Sequence, residues 1–158
     1  MSVDPELTLQ IIEEELRDMA PLIASYGWDV NTDRANLTVS VKMISVIDSE
    51  TYILEAKCDN YKELPPFFEF IHPETKERGT KQCYPTDGSF FIFPNDKAPC
   101  LCVQWNRKAY GVHGGPHSDW PMPNWINLRP GMTVLGDFFH LVQRRINNKQ
   151  VYQGRAKN

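Results

Sequence analysis

The chain has 158 residues, which is enough for one α/β domain with a hydrophobic core and too few for two comfortable domains. Hydrophobic residues make up 41% of it and charged residues 23%, values that are ordinary for a soluble globular protein. The formal net charge of -3 argues against a general binder of nucleic acid or of anionic membranes, since both need a concentrated positive surface.

No targeting or membrane-anchoring segment is predicted. Residues 1–4 carry neither the basic nor the apolar stretch of a signal peptide, and the sequence has no run of about 18 apolar residues. We therefore expect a cytoplasmic protein whose four cysteines stay reduced. Each is then a candidate nucleophile or metal ligand before it is a disulfide partner. These cysteines are Cys58, Cys83, Cys100 and Cys102.

The first predicted element is an amphipathic helix over residues 6–20, where apolar residues recur at steps of three and four. Asp4 and Pro5 supply a cap and a proline suited to the first helical position, and Pro21 is expected to end the helix. Gly27 then turns the chain.

Three strands are expected to follow as an antiparallel meander. Residues 36–45 mostly alternate between apolar and polar, residues 51–58 form a second run, and the Asp-Ser-Glu segment at 48–50 is typical of a hairpin turn. Residues 67–71, which directly follow Pro65-Pro66, predict the third strand.

Residues 72–129 are rich in proline and glycine, which predicts a long region without extended elements. Its aromatic residues need burial, so we expect this region to be ordered and functional rather than disordered. A final amphipathic helix is expected from Pro130 or Met132 to Asn148, followed by a loose polar tail. The sequence thus predicts a single α+β domain over residues 1–158, with its core in 6–148 and its tail in 149–158.

Three motifs follow one another in a definite order: an aromatic residue and a Pro-Pro step before a strand, a cysteine in a short β segment, and a tryptophan before the last helix. In this sequence they are Tyr61-Lys-Glu-Leu-Pro65-Pro66-Phe-Phe-Glu-Phe70, Leu101-Cys102-Val103, and Trp125 followed by Arg129-Pro130. With the expected helix and meander, this order resembles the ubiquitin-conjugating (UBC) family across residues 34–148. The resemblance implies a UBC-like fold with an N-terminal helix, an antiparallel meander sheet, a long irregular cysteine-bearing loop and a C-terminal crossover helix.

Within that family the sequence is most similar to divergent bacterial members, whose genes lie beside those of an activating enzyme and a JAB-type isopeptidase. The matching segments are Pro99-Cys-Leu101-Cys102, the loop with His113 and His117, and Leu128-Arg129-Pro130-Gly131. The resemblance implies an enzyme that accepts a ubiquitin-like protein from an activating (adenylating) enzyme as a cysteine thioester and transfers it to an amine on a target protein. It also implies a role in bacterial defence against phage. No cofactor and no resident metal are expected, and neither nucleic acid nor a membrane is an expected partner.

The resemblance makes Cys102 the expected nucleophile. Cys100 is the alternative, because it lies two residues earlier and shares a face with Cys102 if the segment is extended. Familiar members of the family have His-Pro-Asn before the cysteine. Here Asn95, in Phe-Pro-Asn, is expected to support the loop or the oxyanion, although the histidine is missing. The His72-Pro-Glu segment has the histidine and lacks the asparagine.

His113 and His117 are expected near the thiol, where an imidazole could orient the acceptor amine or take its proton. Asp119 could lower the pKa of an acceptor lysine. The alternative is that both histidines only bond to the backbone of their loop.

Other interpretations remain open at this stage. The chain could be a catalytically inactive UBC-like module that binds a ubiquitin-like protein or a partner enzyme, with Cys102 packed as a small apolar residue. A small zinc-binding domain is a second alternative, with soft ligands from Cys83, Cys100, Cys102, His113 and His117. A papain-like Cys-His hydrolase would need a helix N-terminus at the cysteine, which the surrounding prolines and β-type residues do not predict.

Overall fold

The computed structural model describes residues 2–88, 90–92, 99–112, 122–128 and 131–157. Two helices come first. Helix α1 spans Pro5–Asp18, and the Asp4 side chain caps it by accepting a hydrogen bond from the Glu6 N–H at 3.0 Å. Helix α2 spans Ala20–Tyr26 and ends at Gly27, whose φ of 66° lies in the left-handed region that favours glycine.

The prediction that Pro21 ends the helical segment was wrong. Pro21 lies in the first turn of α2, where its missing N–H costs no hydrogen bond. The break between the two helices falls instead at Met19.

Four antiparallel strands form the main sheet in the order β1-β2-β3-β4. Their bounds are Asp29–Asp33, Thr38–Ile44, Thr51–Lys57 and Phe67–Ile71. The predicted meander is therefore confirmed, with one more strand than expected. Strand β1 was missed because Val30 is the single apolar residue in it, and its place at the sheet edge leaves most of it exposed.

One face of the sheet carries the hydrophobic core. The register places Val41 opposite Leu54 and Leu54 opposite Phe70, so the buried positions of neighbouring strands line up. Alternate residues of β2, β3 and β4 are almost fully buried on this face, and each large aliphatic or phenylalanine side chain among them stabilises the fold by about 1.5 to 3 kcal/mol. They are Val39, Val41, Met43, Tyr52, Leu54, Ala56, Phe68 and Phe70.

The region after β4 is built from short elements, as the prolines and glycines predicted. It contains a 3-10 turn at Lys81–Cys83, a two-stranded pairing of β5 (Phe91–Ile92) with β6 (Cys100–Leu101), helix α3 (Arg107–Val112) and a 3-10 segment at Met122–Leu128. The expected burial of aromatic residues is confirmed for most of those described, whereas Phe90 is only half-buried against the core. Buried aromatic residues in this region are Tyr84, Phe91, Trp105, Tyr110 and Trp125.

Helix α4 spans Leu135–Ile146, shorter than the predicted helix that reached from residue 130 or 132 to 148. Asp137 closes its N-terminus, because its carboxylate accepts hydrogen bonds from the N–H groups of Thr133 and Val134 at 3.2 and 3.4 Å. The apolar stripe of α4 packs into the core with residues at helical spacing. These are Leu135, Phe138, Phe139, Val142 and Ile146.

The expectation of a loose tail was wrong. Tyr152 is buried, and its hydroxyl lies 2.6 Å from the Tyr52 hydroxyl of β3. Arg155 forms an ion pair with Glu50 at 3.0 Å, and its guanidinium lies 4.5 Å from the centroid of the Tyr52 ring. Residues 149–157 therefore belong to the packed fold.

Candidate active site

The segment that carries Cys102 leaves the end of a short hairpin. Phe91 of β5 pairs with Leu101 of β6, and the Cys102 N–H donates to the Phe90 carbonyl oxygen at 3.1 Å. The Val103 N–H then donates to the Leu101 carbonyl oxygen at 3.1 Å, which closes a three-residue turn with Cys102 at its centre. Because β6 ends at Leu101, Cys102 lies beyond the strand, and the face that an extended segment would give it in common with Cys100 is not formed by strand alternation.

Exposure separates Cys102 from the other cysteines. Cys102 is partly exposed, whereas Cys58, Cys83 and Cys100 are buried. Burial, with a smaller effect from the neighbouring Cys102, raises the pKa of the Cys100 thiol to about 12 despite the opposing effect of Lys108. Burial also raises the pKa of the Cys102 thiol above its ordinary value. Access therefore favours Cys102 over Cys100 as the nucleophile, and the assignment stays a prediction.

Asn106 connects the cysteine segment to the sheet. Its side-chain amide donates to the Leu101 carbonyl oxygen at 2.8 Å, and its oxygen accepts from the Phe68 N–H of β4 at 2.9 Å. The same oxygen caps α3 by accepting from the Lys108 N–H at 3.1 Å. Asn106 was not among the predicted site residues. An asparagine directly before a short helix is a capping signal, and that pattern could have identified it.

Asp87 holds the other side of the hairpin. Its fully buried carboxylate accepts from the N–H groups of Phe90 and Phe91 at 2.8 and 3.2 Å. Arg145 of α4 forms an ion pair with the same carboxylate at 2.6 Å, and its guanidinium lies over the Phe90 ring. Asp87 was also missed, since nothing in the sequence pairs it with a residue in the last helix.

The Tyr61–Phe70 motif contacts Trp125 directly, and it contacts the cysteine segment through Arg107, which follows the Leu101-Cys102-Val103 motif. The Arg107 N–H, just after the cysteine turn, donates to the Pro66 carbonyl oxygen at 2.8 Å. The Trp125 indole N–H donates to the Lys62 carbonyl oxygen at 3.1 Å, and its ring centroid lies 6.3 Å from that of Tyr61. The motifs that the sequence linked by order alone are therefore neighbours in space.

Several predicted site residues lie outside the described residues. They are Asn95, His113, His117 and Asp119. Their expected roles stay predictions. His72, the second candidate for the family's histidine, lies in the turn after β4, where its Nδ1 accepts from the N–H groups of Glu74 and Thr75.

The other two cysteines have local structural contacts. The Cys83 thiol donates to the Glu77 carbonyl oxygen at 3.2 Å, and the Cys58 thiol lies 3.6 Å from the Ala56 carbonyl oxygen. Within the described ranges, no group of three or more His, Cys, Asp or Glu residues is placed to hold a metal ion. The zinc alternative depends on His113 and His117, which are not among those residues.

A papain-like arrangement is not supported at the cysteine. Cys102 follows a strand and lies in a turn, whereas α3 begins only at Arg107. The thiol therefore lacks the helix N-terminus that lowers the pKa of the cysteine in many such enzymes.

The comparisons with known proteins assign neither a family nor a function to this chain. No model of a known protein family matches the sequence, and no curated protein sequence matches it either. Across the part of the chain that the structure describes, no helix has both the length and the apolar character needed to cross a membrane.

Proposed function

We propose that this chain is a UBC-like enzyme that carries a ubiquitin-like protein as a thioester on Cys102 and transfers it to an amine on a target protein. The observation that carries the proposal is the position of Cys102, which is the partly exposed cysteine and lies at the centre of a turn held by hydrogen bonds. The partners in this proposal are an activating enzyme, a ubiquitin-like protein and a target protein.

The fold supports the proposal through the order of its parts. A helical segment, a four-stranded antiparallel meander, a cysteine-bearing segment and a last helix follow one another, as the UBC resemblance implies. Supporting contacts join the Pro-Pro segment to both other regions: Arg107, after the cysteine turn, bonds to Pro66, and Trp125 bonds to Lys62. The resemblance to bacterial members extends the proposal to a cytoplasmic conjugation pathway in defence against phage.

The chemistry requires two acyl transfers. In the first, the Cys102 thiolate attacks the thioester carbonyl carbon of the ubiquitin-like protein on the activating enzyme, a new S–C bond forms, and the activating enzyme's sulfur leaves as a thiolate. In the second, an amine nitrogen attacks the same carbon, an amide forms, and Cys102 leaves as a thiolate. His113 and His117 are the proposed acceptors of the amine proton, and Asn95 the proposed donor to the oxyanion.

The raised pKa of Cys102 is compatible with this chemistry. The incoming acyl group is already an activated thioester, so the thiol does not need the strongly lowered pKa of a cysteine that attacks amides. The same raised pKa is also expected of a catalytically inactive UBC-like module that binds a ubiquitin-like protein or a partner enzyme. The proposed enzyme forms a covalent adduct with the ubiquitin-like protein, whereas the inactive module does not.

A charging assay tests the proposal. The protein is incubated with ATP, an activating enzyme and a ubiquitin-like protein, which the resemblance implies are encoded beside its gene. It is then run on gels with and without a reducing agent. We expect an adduct that the reducing agent removes, that Cys102→Ala abolishes and that the matched variant Cys100→Ala retains. An adduct lost only in Cys100→Ala would move the nucleophile to that residue. No adduct under active charging conditions would leave the binding module as the function.

A further inference from the structure

The peptide that joins Leu101 to Cys102 is held at both of its polar atoms. Its N–H donates to the Phe90 carbonyl oxygen, and its carbonyl oxygen accepts from the Asn106 side chain at 2.8 Å and from the Val103 N–H at 3.1 Å. Phe90 lies directly before β5 and Asn106 directly before α3, so separate parts of the fold hold this peptide. The orientation of the Cys102 backbone is therefore set by the groups around it.

Asn106 is suited to hold this peptide because its own position is fixed. Its side chain is fully buried, and its oxygen is fastened to the Phe68 N–H of the sheet and to the Lys108 N–H of α3. Phe68 is itself fully buried, and its ring packs edge-on against Trp105. The amide nitrogen of Asn106 also lies 3.9 Å from the Cys100 sulfur, a weak contact within the same segment.

We propose that Asn106 is the positioning residue for Cys102. It fixes the turn that presents the thiol and does not touch the reacting atoms. Attack on a thioester carbonyl needs the sulfur at about 3 to 3.5 Å from the carbon and in line with it, and a misplacement of about 1 Å can cost 100-fold in rate. The consequence for acyl transfer rests on the proposed function, whereas the restraint on the Cys102 peptide does not.

The substitution Asn106→Asp isolates the donor of this side chain. Aspartate keeps the oxygen that accepts from the Phe68 and Lys108 N–H groups, and it remains a good helix cap. It replaces the amide that donates to Leu101 with an oxygen that repels the carbonyl. The turn at Cys102 then loses the bond that Asn106 supplies.

Gln143 offers a matched control. It is also a buried amide, its oxygen accepts from the Trp28 indole N–H at 2.7 Å, and its nitrogen donates to the Ile44 carbonyl oxygen at 3.0 Å. The substitution Gln143→Glu therefore makes the same chemical change against a backbone carbonyl at the end of β2, and the bonds it removes join Gln143 to Ile44 and Asn147 rather than to the cysteine turn.

The test compares both variants with the wild-type protein by amide hydrogen exchange and by charging kinetics, with thermal unfolding as the measure of global stability. In Asn106→Asp we expect the Cys102 and Val103 amides to exchange about tenfold faster than in Gln143→Glu. We expect the maximal charging rate to fall by about 100-fold while the KM for the charged activating enzyme stays unchanged. The charging rate of the Gln143→Glu variant, calculated per folded molecule, should lie within about twofold of the wild-type rate.

Equal exchange in the two variants would overturn the proposal, as would equal charging rates at similar stability. If the wild-type protein forms no adduct, the proposed function fails, and the exchange result still supports or overturns the positioning role. If Asn106→Asp does not fold, Asn106→Ser replaces it, because serine keeps the cap to the Lys108 N–H and loses the reach to Leu101. Amide exchange at Cys102 and Val103 is then compared between Asn106→Ser and Gln143→Glu, and equal exchange overturns the proposal.

Discussion

Replacing Glu15 with alanine is expected to lower the free energy of unfolding by about 3 to 5 kcal/mol. Glu15 is buried in α1, and its Oε1 accepts from the Tyr61 hydroxyl at 2.6 Å and from the Leu135 N–H at 2.8 Å. Alanine leaves these two buried donors without an acceptor, at about 1 to 3 kcal/mol each. One carboxylate thus joins α1 to the first turn of α4 and to the segment before β4.

Lys62 adds less to this estimate. Its ammonium lies 3.0 Å from Oε2 as an ion pair without the angle of a hydrogen bond, and its side chain is 33% exposed, so we assign the pair less than about 1 kcal/mol. Glu15→Gln keeps an oxygen for Tyr61 and Leu135 and removes the charge. It should therefore cost about 1 to 2 kcal/mol, clearly less than alanine.

Urea unfolding followed by tryptophan fluorescence measures these differences. The control is Glu14→Ala, since Glu14 is exposed on the same helix and its loss should change stability by no more than about 0.5 kcal/mol. If Glu15→Ala were no more destabilising than Glu14→Ala, the carboxylate would not be holding the two helices together and the reasoning would fail.

Three further predictions concern the cysteine hairpin and the tail. Asp87→Asn should destabilise the fold by about 2 to 3 kcal/mol in urea unfolding, because the buried carboxylate loses its charge toward a cation in α4; a change below about 0.5 kcal/mol would contradict this. The rate at which iodoacetamide alkylates Cys102 should keep rising with pH beyond about 8.5, because burial raises the pKa of this thiol and the thiolate is the reacting form. A rate that levels off near neutral pH would contradict this prediction. Tyr152→Phe should cost about 1 to 2 kcal/mol, because its hydroxyl bonds to Tyr52 and Asp48, and unchanged stability would mean that the tail is held by its other contacts.

Periodicity predicted the elements that bury a continuous face. Val39, Val41 and Met43 alternate in the sequence because they point into the core from one strand, and the apolar stripe of α4 repeats at helical spacing for the same reason. Strand β1 was not predicted, because an exposed edge strand needs little apolar patterning. Helix α2 was not predicted, because a proline can lie either at the end of a helix or in its first turn.

The supporting polar contacts could not be predicted from the sequence. Asp87 and Arg145 lie far apart along the chain, and a single buried acid has no periodic signal that names its partner. The packing of Tyr152 against Tyr52 also joins residues that are far apart in the sequence. The polar composition of residues 149–158 alone therefore predicted a loose tail. The sequence predicts Cys102 as the nucleophile, and this stays a prediction. The turn at Cys102 is bonded to Asn106 and Phe90, which only the fold brings together.

The most direct test of the central claim is the intact mass of the protein after charging with ATP, the activating enzyme and the ubiquitin-like protein. For the wild-type protein we expect a gain of one ubiquitin-like protein that dithiothreitol reverses, and for Cys102→Ser an ester adduct that dithiothreitol leaves in place, since an oxygen ester resists thiols. Two results would contradict the account. One is that Cys102→Ala forms the same adduct as the wild-type protein at full yield. The other is that neither the wild-type protein nor Cys102→Ser forms an adduct.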